Sequence, residues 1–134
     1  MRGTKPHLAT AAKGMAAMPR PPAMLSKDAK AEWRRVVPEL VERRILTNAD
    51  LGALENYAIA MGIVRQAQRE LAAFGSLTFS GPSGLKRHPA VGVMNEAMGV
   101  ALRHQAELGL TPVSRSRPAI RDDGDDGEDD ALGL

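Results

Sequence analysis

The chain of 134 residues has room for one domain, and 43% of it is apolar while only 3% is aromatic. Ala, Leu, Val and Met supply most of the apolar share, which favours an all-α fold over an aromatic-rich β-sandwich. The absence of cysteine excludes disulfides and thiolate metal sites, and no apolar run approaches the roughly 18 residues of a membrane span.

Met1 to Leu25 contains Gly3, Pro6, Gly14, Pro19, Pro21 and Pro22, carries Arg2, Lys5, Lys13 and Arg20, and has no acidic residue. It reads as a flexible basic N-terminal arm over residues 1–25. Lys13, Gly14, Pro19 and Arg20 also interrupt it before a signal-peptide core could form, so the protein is expected to be soluble and intracellular. A helical domain is expected over residues 26–121. Ser26 is a candidate N-cap for a helix to about Arg44, with Ala29, Trp33, Val36 and Leu40 on one face and Val37 and Val41 beside them. Pro38 should kink that helix or divide it in two, and the kink is preferred.

Thr47 and Asp50 have capping-box spacing, so a second helix should begin near Asn48 and end at Gly75. Leu51, Leu54, Ala58, Met61, Val64, Ala67, Leu71 and Phe74 recur along it at helical spacing, and Ile59 and Ile63 add apolar surface on the far side. A helix apolar over so much of its circumference needs more than one neighbour, which in a chain this short points to other subunits. Leu77 to Phe79 and Leu85 to Arg87 flank the turn Gly81-Pro82-Ser83-Gly84, predicting a short hairpin or loop between the two long helices. Pro89 should open a third helix reaching Leu108. Val91, Met94, Met98, Ala101, Gln105 and Leu108 form a heptad seam on it, to pack antiparallel on the second helix or on a neighbouring chain. Gly109 reads as a helix stop, and Thr111 with Pro112 as the N-cap and first residue of another helix. The expected architecture is therefore all-α: a helical hairpin core, a kinked N-terminal helix and disordered termini.

The net charge of +2 conceals an asymmetry. Asp122, Asp123, Asp125, Asp126, Glu128, Asp129 and Asp130 lie together in the tail, residues 122–134, which is expected to be disordered. Nine acidic residues remain against 18 Lys and Arg in the rest of the chain, a body of formal charge +9. Such a body attracts polyanions, and the tail is a polyanion already attached. Solubility is the plainer service of the same charges.

Catalytic patterns are not recognisable. His7, His88 and His104 are scattered and fit surface or capping roles better than a metal motif. Gly81 to Gly84 lacks the length and the Lys-Ser/Thr ending of a phosphate loop, and Gly124 and Gly127 break the register of a calcium loop. Body carboxylates are spread singly, with no paired acid and base. No enzyme, metal or cofactor is expected. Cations do cluster, in four places: the arm (Arg2, Lys5, Lys13, Arg20), the first helix (Lys27, Lys30, Arg34, Arg35), the pair Lys86-Arg87, and Arg115 with Arg117. Arg34 and Arg35 could pair with Glu32 and Glu39, and Arg103 with Glu107, each for only about 0.2–0.5 kcal/mol. The candidate DNA-binding residues are thus Arg2, Lys5, Lys13, Arg20, Lys27, Lys30, Arg34, Lys86, Arg87, Arg115 and Arg117. Without interleaved aromatic residues, duplex DNA suits them better than single strands.

Several motifs recur in a recognisable order: Leu25-Ser26, Ala31-Glu32-Trp33-Arg34-Arg35, Pro38-Glu39-Leu40, Leu46-Thr47 before Asp50, Gly84-Leu85-Lys86 with His88-Pro89-Ala90, Asn95-Glu96-Ala97, and Leu108-Gly109-Leu110-Thr111-Pro112 with Ser114-Arg115. In this order and spacing, over roughly Pro22 to Arg117, the chain resembles tailed-phage terminase small subunits. The resemblance implies a non-catalytic helical subunit that assembles into a homo-oligomeric ring. Such a subunit binds double-stranded viral DNA at the packaging start site and passes it to a large subunit holding the ATPase and nuclease. It implies a place in the cytoplasm of the infected bacterial host, outside the mature virion, and no membrane partner. The acidic tail carries no motif of that family. The rival readings are a helical phage adaptor that does not touch DNA and a small transcriptional regulator, the latter predicting a dimer on a palindromic site.

Overall fold

The computed structural model describes residues 17–44 and 46–114. Three helices and one β-hairpin form in the order α1 (Lys27–Glu42), α2 (Leu51–Phe74), β1 (Thr78–Gly81), β2 (Gly84–Arg87) and α3 (Pro89–Glu107), with a 3-10 turn at Asn48–Asp50 before α2. The helical hairpin of α2 and α3 with α1 added is the predicted all-α architecture, and the small two-stranded sheet joins the long helices.

Local chemistry sets each boundary. Ser26 Oγ accepts the Ala29 N–H at 3.1 Å and starts α1. The helix then runs through Pro38 as one element, so the alternative of two short helices does not form. An interior proline costs about 3 kcal/mol, but burial of Val36, Val37 and Leu40, at about 1.5–3 kcal/mol for each side chain, outweighs it. Pro38 faces solvent, where water can serve the carbonyl its ring leaves without a donor. Arg44, just past the helix, takes a positive φ of 57°. The Asp50 carboxylate accepts from the Thr47 N–H at 3.0 Å and the Thr47 hydroxyl at 2.9 Å, fixing the entry to α2. Gly75, at φ 86°, closes α2 by donating to the Leu71 carbonyl, a backbone position that costs other residues about 1 kcal/mol or more.

The hairpin is antiparallel, pairing Thr78 with Arg87 and Ser80 with Leu85. His88 caps α3 by accepting the Ala90 N–H at Nδ1, 3.0 Å away. At the far end, Gly109 has φ 71° and the Leu110 N–H reaches the Gln105 carbonyl at 2.9 Å. Thr111 and Ser114 then bond reciprocally, with Ser114 N–H donating to Thr111 Oγ1 at 3.1 Å and Thr111 N–H to Ser114 Oγ at 3.2 Å. The backbone is helical from Pro112 as far as it is described.

The core joins Trp33, Val36, Val37 and Leu40 of α1 to Leu46, Leu54, Tyr57 and Ala58, with Ala101 of α3 and Leu108, which caps that helix, closing it. A second cluster places Ala67 and Leu71 against Ala90, Val91 and Met94 nearer the hairpin. The predicted heptad seam is only partly correct: Ala101 and Leu108 are buried, but Met98 is 46% exposed and the buried stripe runs through Ala90, Ala97 and Ala101. Facing Ala60 and Ala67 on α2 are also buried, and side chains this small let two helix backbones approach where methionine would hold them apart. The predicted arm also ends sooner than Leu25. Leu25 is buried and the Trp33 indole N–H donates to the Pro19 carbonyl at 2.9 Å, which ties the segment before α1 to that helix. No described helix is long and apolar enough to cross a membrane.

Candidate nucleic-acid interface

The flanks of α1 carry opposite electrostatic roles. On one flank Glu32 is fully buried, which by itself disfavours its charged form. Hydrogen bonds from Arg35 and Tyr57, with the charges of Arg35 and Arg65, outweigh burial and hold its carboxyl below the usual carboxylate range. Arg35 reaches it through Nε at 3.0 Å and Nη2 at 2.5 Å, Arg65 Nη2 at 2.9 Å, and the Tyr57 hydroxyl donates to it. Burial and this contact push the Tyr57 phenol upward. One turn earlier, Arg69 Nη2 donates to Asp28 at 2.6 Å, and this bond is the main cause lowering the Asp28 carboxyl.

These pairs commit Arg35, Arg65 and Arg69 to the fold. Lys27, Lys30 and Arg34 lie at i, i+3 and i+7 on the other flank, and Lys27 and Arg34 are exposed. Among the described residues none of the three forms an ion pair. The sequence expectation for Glu39 and Glu107 needs correction: Glu39 takes Arg43 at 2.6 Å, and Glu107 takes His104 Nδ1 at 3.2 Å, leaving Arg34 and Arg103 unpaired among the described residues. The pairs follow the helical spacing in each case, but a different cation occupies it.

The described candidate cations lie just before α1, on α1 and on β2. Because α1 runs antiparallel to α2, Asp28 meets Arg69, about 8 Å along the axis from the end of α2 at Phe74. Lys86 and Arg87 are exposed on β2 beyond the end of α2, whereas Ser26 and Ala29, on either side of Lys27, lie against Gly62 at the middle of α2. Arg20 follows Pro19, whose carbonyl is fixed to Trp33, and so joins the same helix. The end opposite Phe74 is closed by Leu46, Leu54 and Leu108 and by Arg43 Nη1 on the Gly109 carbonyl at 3.4 Å. Arg115 and Arg117 lie outside the described residues, as do Arg2, Lys5, Lys13 and the acidic tail.

Sequence reasoning missed Glu32 and Tyr57 as a buried pair. The signal was available: Glu32 stands between Ala29 and Val36 on the apolar face of α1, and a carboxylate there requires donors. Among the described residues no three His, Asp or Glu side chains converge on a metal site, and no buried side-chain polar atom lacks a partner.

The described residues form a small helical protein with exposed cations on one flank of α1 and on β2. The chain belongs to the phage terminase small-subunit family: the family described as "Phage terminase, small subunit" matches residues 29–125, which takes in α1 from its third residue, the hairpin and both long helices. That membership assigns it to phage DNA packaging. No curated protein and no solved structure matches the chain.

Proposed function

We propose that this chain is the non-catalytic DNA-recognition subunit of a phage packaging terminase, assembling into a ring, binding double-stranded viral DNA at the packaging start site and delivering it to the ATPase and nuclease subunit. It acts in the cytoplasm of the infected host and stays out of the mature virion. The observation that carries the reading is the open stripe Lys27, Lys30 and Arg34, on a helix that the family match enters at residue 29, so that Lys30 and Arg34 lie within the match and Lys27 just before it. The flank of that helix facing α2 is neutralised by internal pairs. Lys86, Arg87 and Arg20 add further exposed cations, and Arg2, Lys5, Lys13, Arg115 and Arg117 add contacts from the segments on either side.

Phosphate contacts of this kind lower the logarithm of affinity with salt by about 0.9 per phosphate neutralised. Replacing Lys27, Lys30 and Arg34 with alanine should flatten that slope by about 2 to 3, measured by fluorescence anisotropy on a random-sequence duplex. An unchanged slope would remove α1 from the interface.

A further inference from the structure

We infer that the β-hairpin is the base-reading element of this subunit, entering the major groove of duplex DNA with Ser80 and Leu85 toward the base edges. The inference rests on the DNA-binding reading above and adds where sequence is read.

The hairpin has no share in either apolar cluster. β2 is exposed along its whole length, and Leu85 is 73% exposed, so that side chain serves no core. The ribbon is nevertheless held firmly at its base. The His88 N–H donates to the Leu77 carbonyl at 2.8 Å, and the Phe74 and His88 rings meet edge to face at 4.8 Å. A rigid ribbon projecting from the end of a helical hairpin, beside exposed cations, has the form of a probe.

Its two faces differ. Strand alternation and the observed register put Thr78, Ser80, Leu85 and Arg87 on one face and Phe79, Gly81, Gly84 and Lys86 on the other. The second face is partly covered: Phe79 is half-buried, and the Lys86 stem lies 3.5 Å from the place a Cβ on Gly81 would occupy. The first is the more open, with Ser80 and Leu85 exposed as a cross-strand pair. Its chemistry is a hydroxyl that can donate or accept and an apolar branch suited to a thymine methyl, with a guanidinium at the base of the ribbon. The Arg87 guanidinium lies against α3, its Nη2 3.4 Å from the place a Cβ on Gly92 would occupy. The major groove, about 12 Å wide, admits a two-stranded ribbon and displays these partners on its base edges. The α1 cations can supply affinity for phosphates but carry no sequence information.

The test begins with selection from a library of randomised duplexes by the full chain. The wild type should enrich a defined sequence, with guanine N7 atoms protected from dimethyl sulfate. The double variant Ser80→Ala/Leu85→Ala should keep its helical circular dichroism and bind a random duplex within about twofold of wild type, yet lose at least about fivefold on the selected duplex. Equal binding of the selected duplex by that variant would overturn the inference. So would a wild type that binds duplexes but enriches no sequence. A wild type that binds no duplex would instead remove the DNA-binding reading itself.

Discussion

Glu32 shows how one residue can be misread by spacing and correctly read by position. Its i+3 relation to Arg35 suggests an exposed pair, whereas its place between Ala29 and Val36 puts it inside, where Tyr57 and Arg65 also reach it. The physical consequence is a pH dependence with a definite sign. The folded-state carboxyl is held below its ordinary value, so its contribution is complete above the unfolded pKa of about 4.3 and disappears as pH falls through the lower folded value. Tyr57→Phe should cost about 1–3 kcal/mol near neutral pH, because it withdraws a hydrogen bond from a buried charge. Glu32→Gln should also destabilise near neutral pH, and its urea midpoint should approach that of wild type only as pH falls through the lowered folded value. Parallel midpoint curves from neutral to acid pH would show that the carboxylate is not the stabilising form.

At the scale of elements, boundaries were legible because each is decided by a few adjacent residues. Ser26, Thr47 with Asp50, Gly75, Pro89 and Gly109 mark helix starts and stops that recur in the structure. The face of α3 was not legible, since period alone fits both the methionine and the alanine stripe, and the choice depends on what α2 presents opposite. Glycines inside helices have the same ambiguity, and a Cβ distinguishes them. At Gly62 it would meet Ser26 Oγ at 3.0 Å and the Ala29 Cβ and backbone nitrogen at 3.2 Å, so the start of α1 must give by a few tenths of an ångström. At Gly52 it would meet nothing within 4 Å. Gly52→Ala should therefore stabilise by about 0.5–1 kcal/mol, the helix-propensity difference. Gly62→Ala should destabilise despite the same gain, because overpacking costs about 1–3 kcal/mol. Thermal unfolding of the two variants checks both, and a stabilised Gly62→Ala would mean that α1 and α2 are not closely apposed.

The whole molecule raises the question of what covers its remaining apolar surface, and composition could not say which side chains a short chain leaves outside. Ile59 and Ile63 remain 37% and 38% exposed and line a groove of about 690 Å³ between α2 and α3 with Val93 and Val100. Met98 and Leu102, 46% and 61% exposed, stand on the other flank of α3, since helical geometry places them more than a quarter-turn from Val93 and Val100. Two unlike apolar surfaces on opposite flanks suit head-to-tail contact between copies, and a heterologous contact closes into a ring when its rotation allows. The proposed ring therefore predicts one closed oligomer, well above a tetramer, in native mass spectrometry at moderate salt. Ile63→Glu would desolvate an unpaired carboxylate on assembly and should shift the protein to monomer, as should Leu102→Glu from the other flank. Because both positions are partly open in the single chain, its helical circular dichroism should persist in each variant. A wild type that stays monomeric or dimeric across micromolar concentrations, with and without duplex DNA, would replace the ring with the adaptor or regulator reading. Variants that keep the full native mass would instead mean that the ring closes through other surfaces.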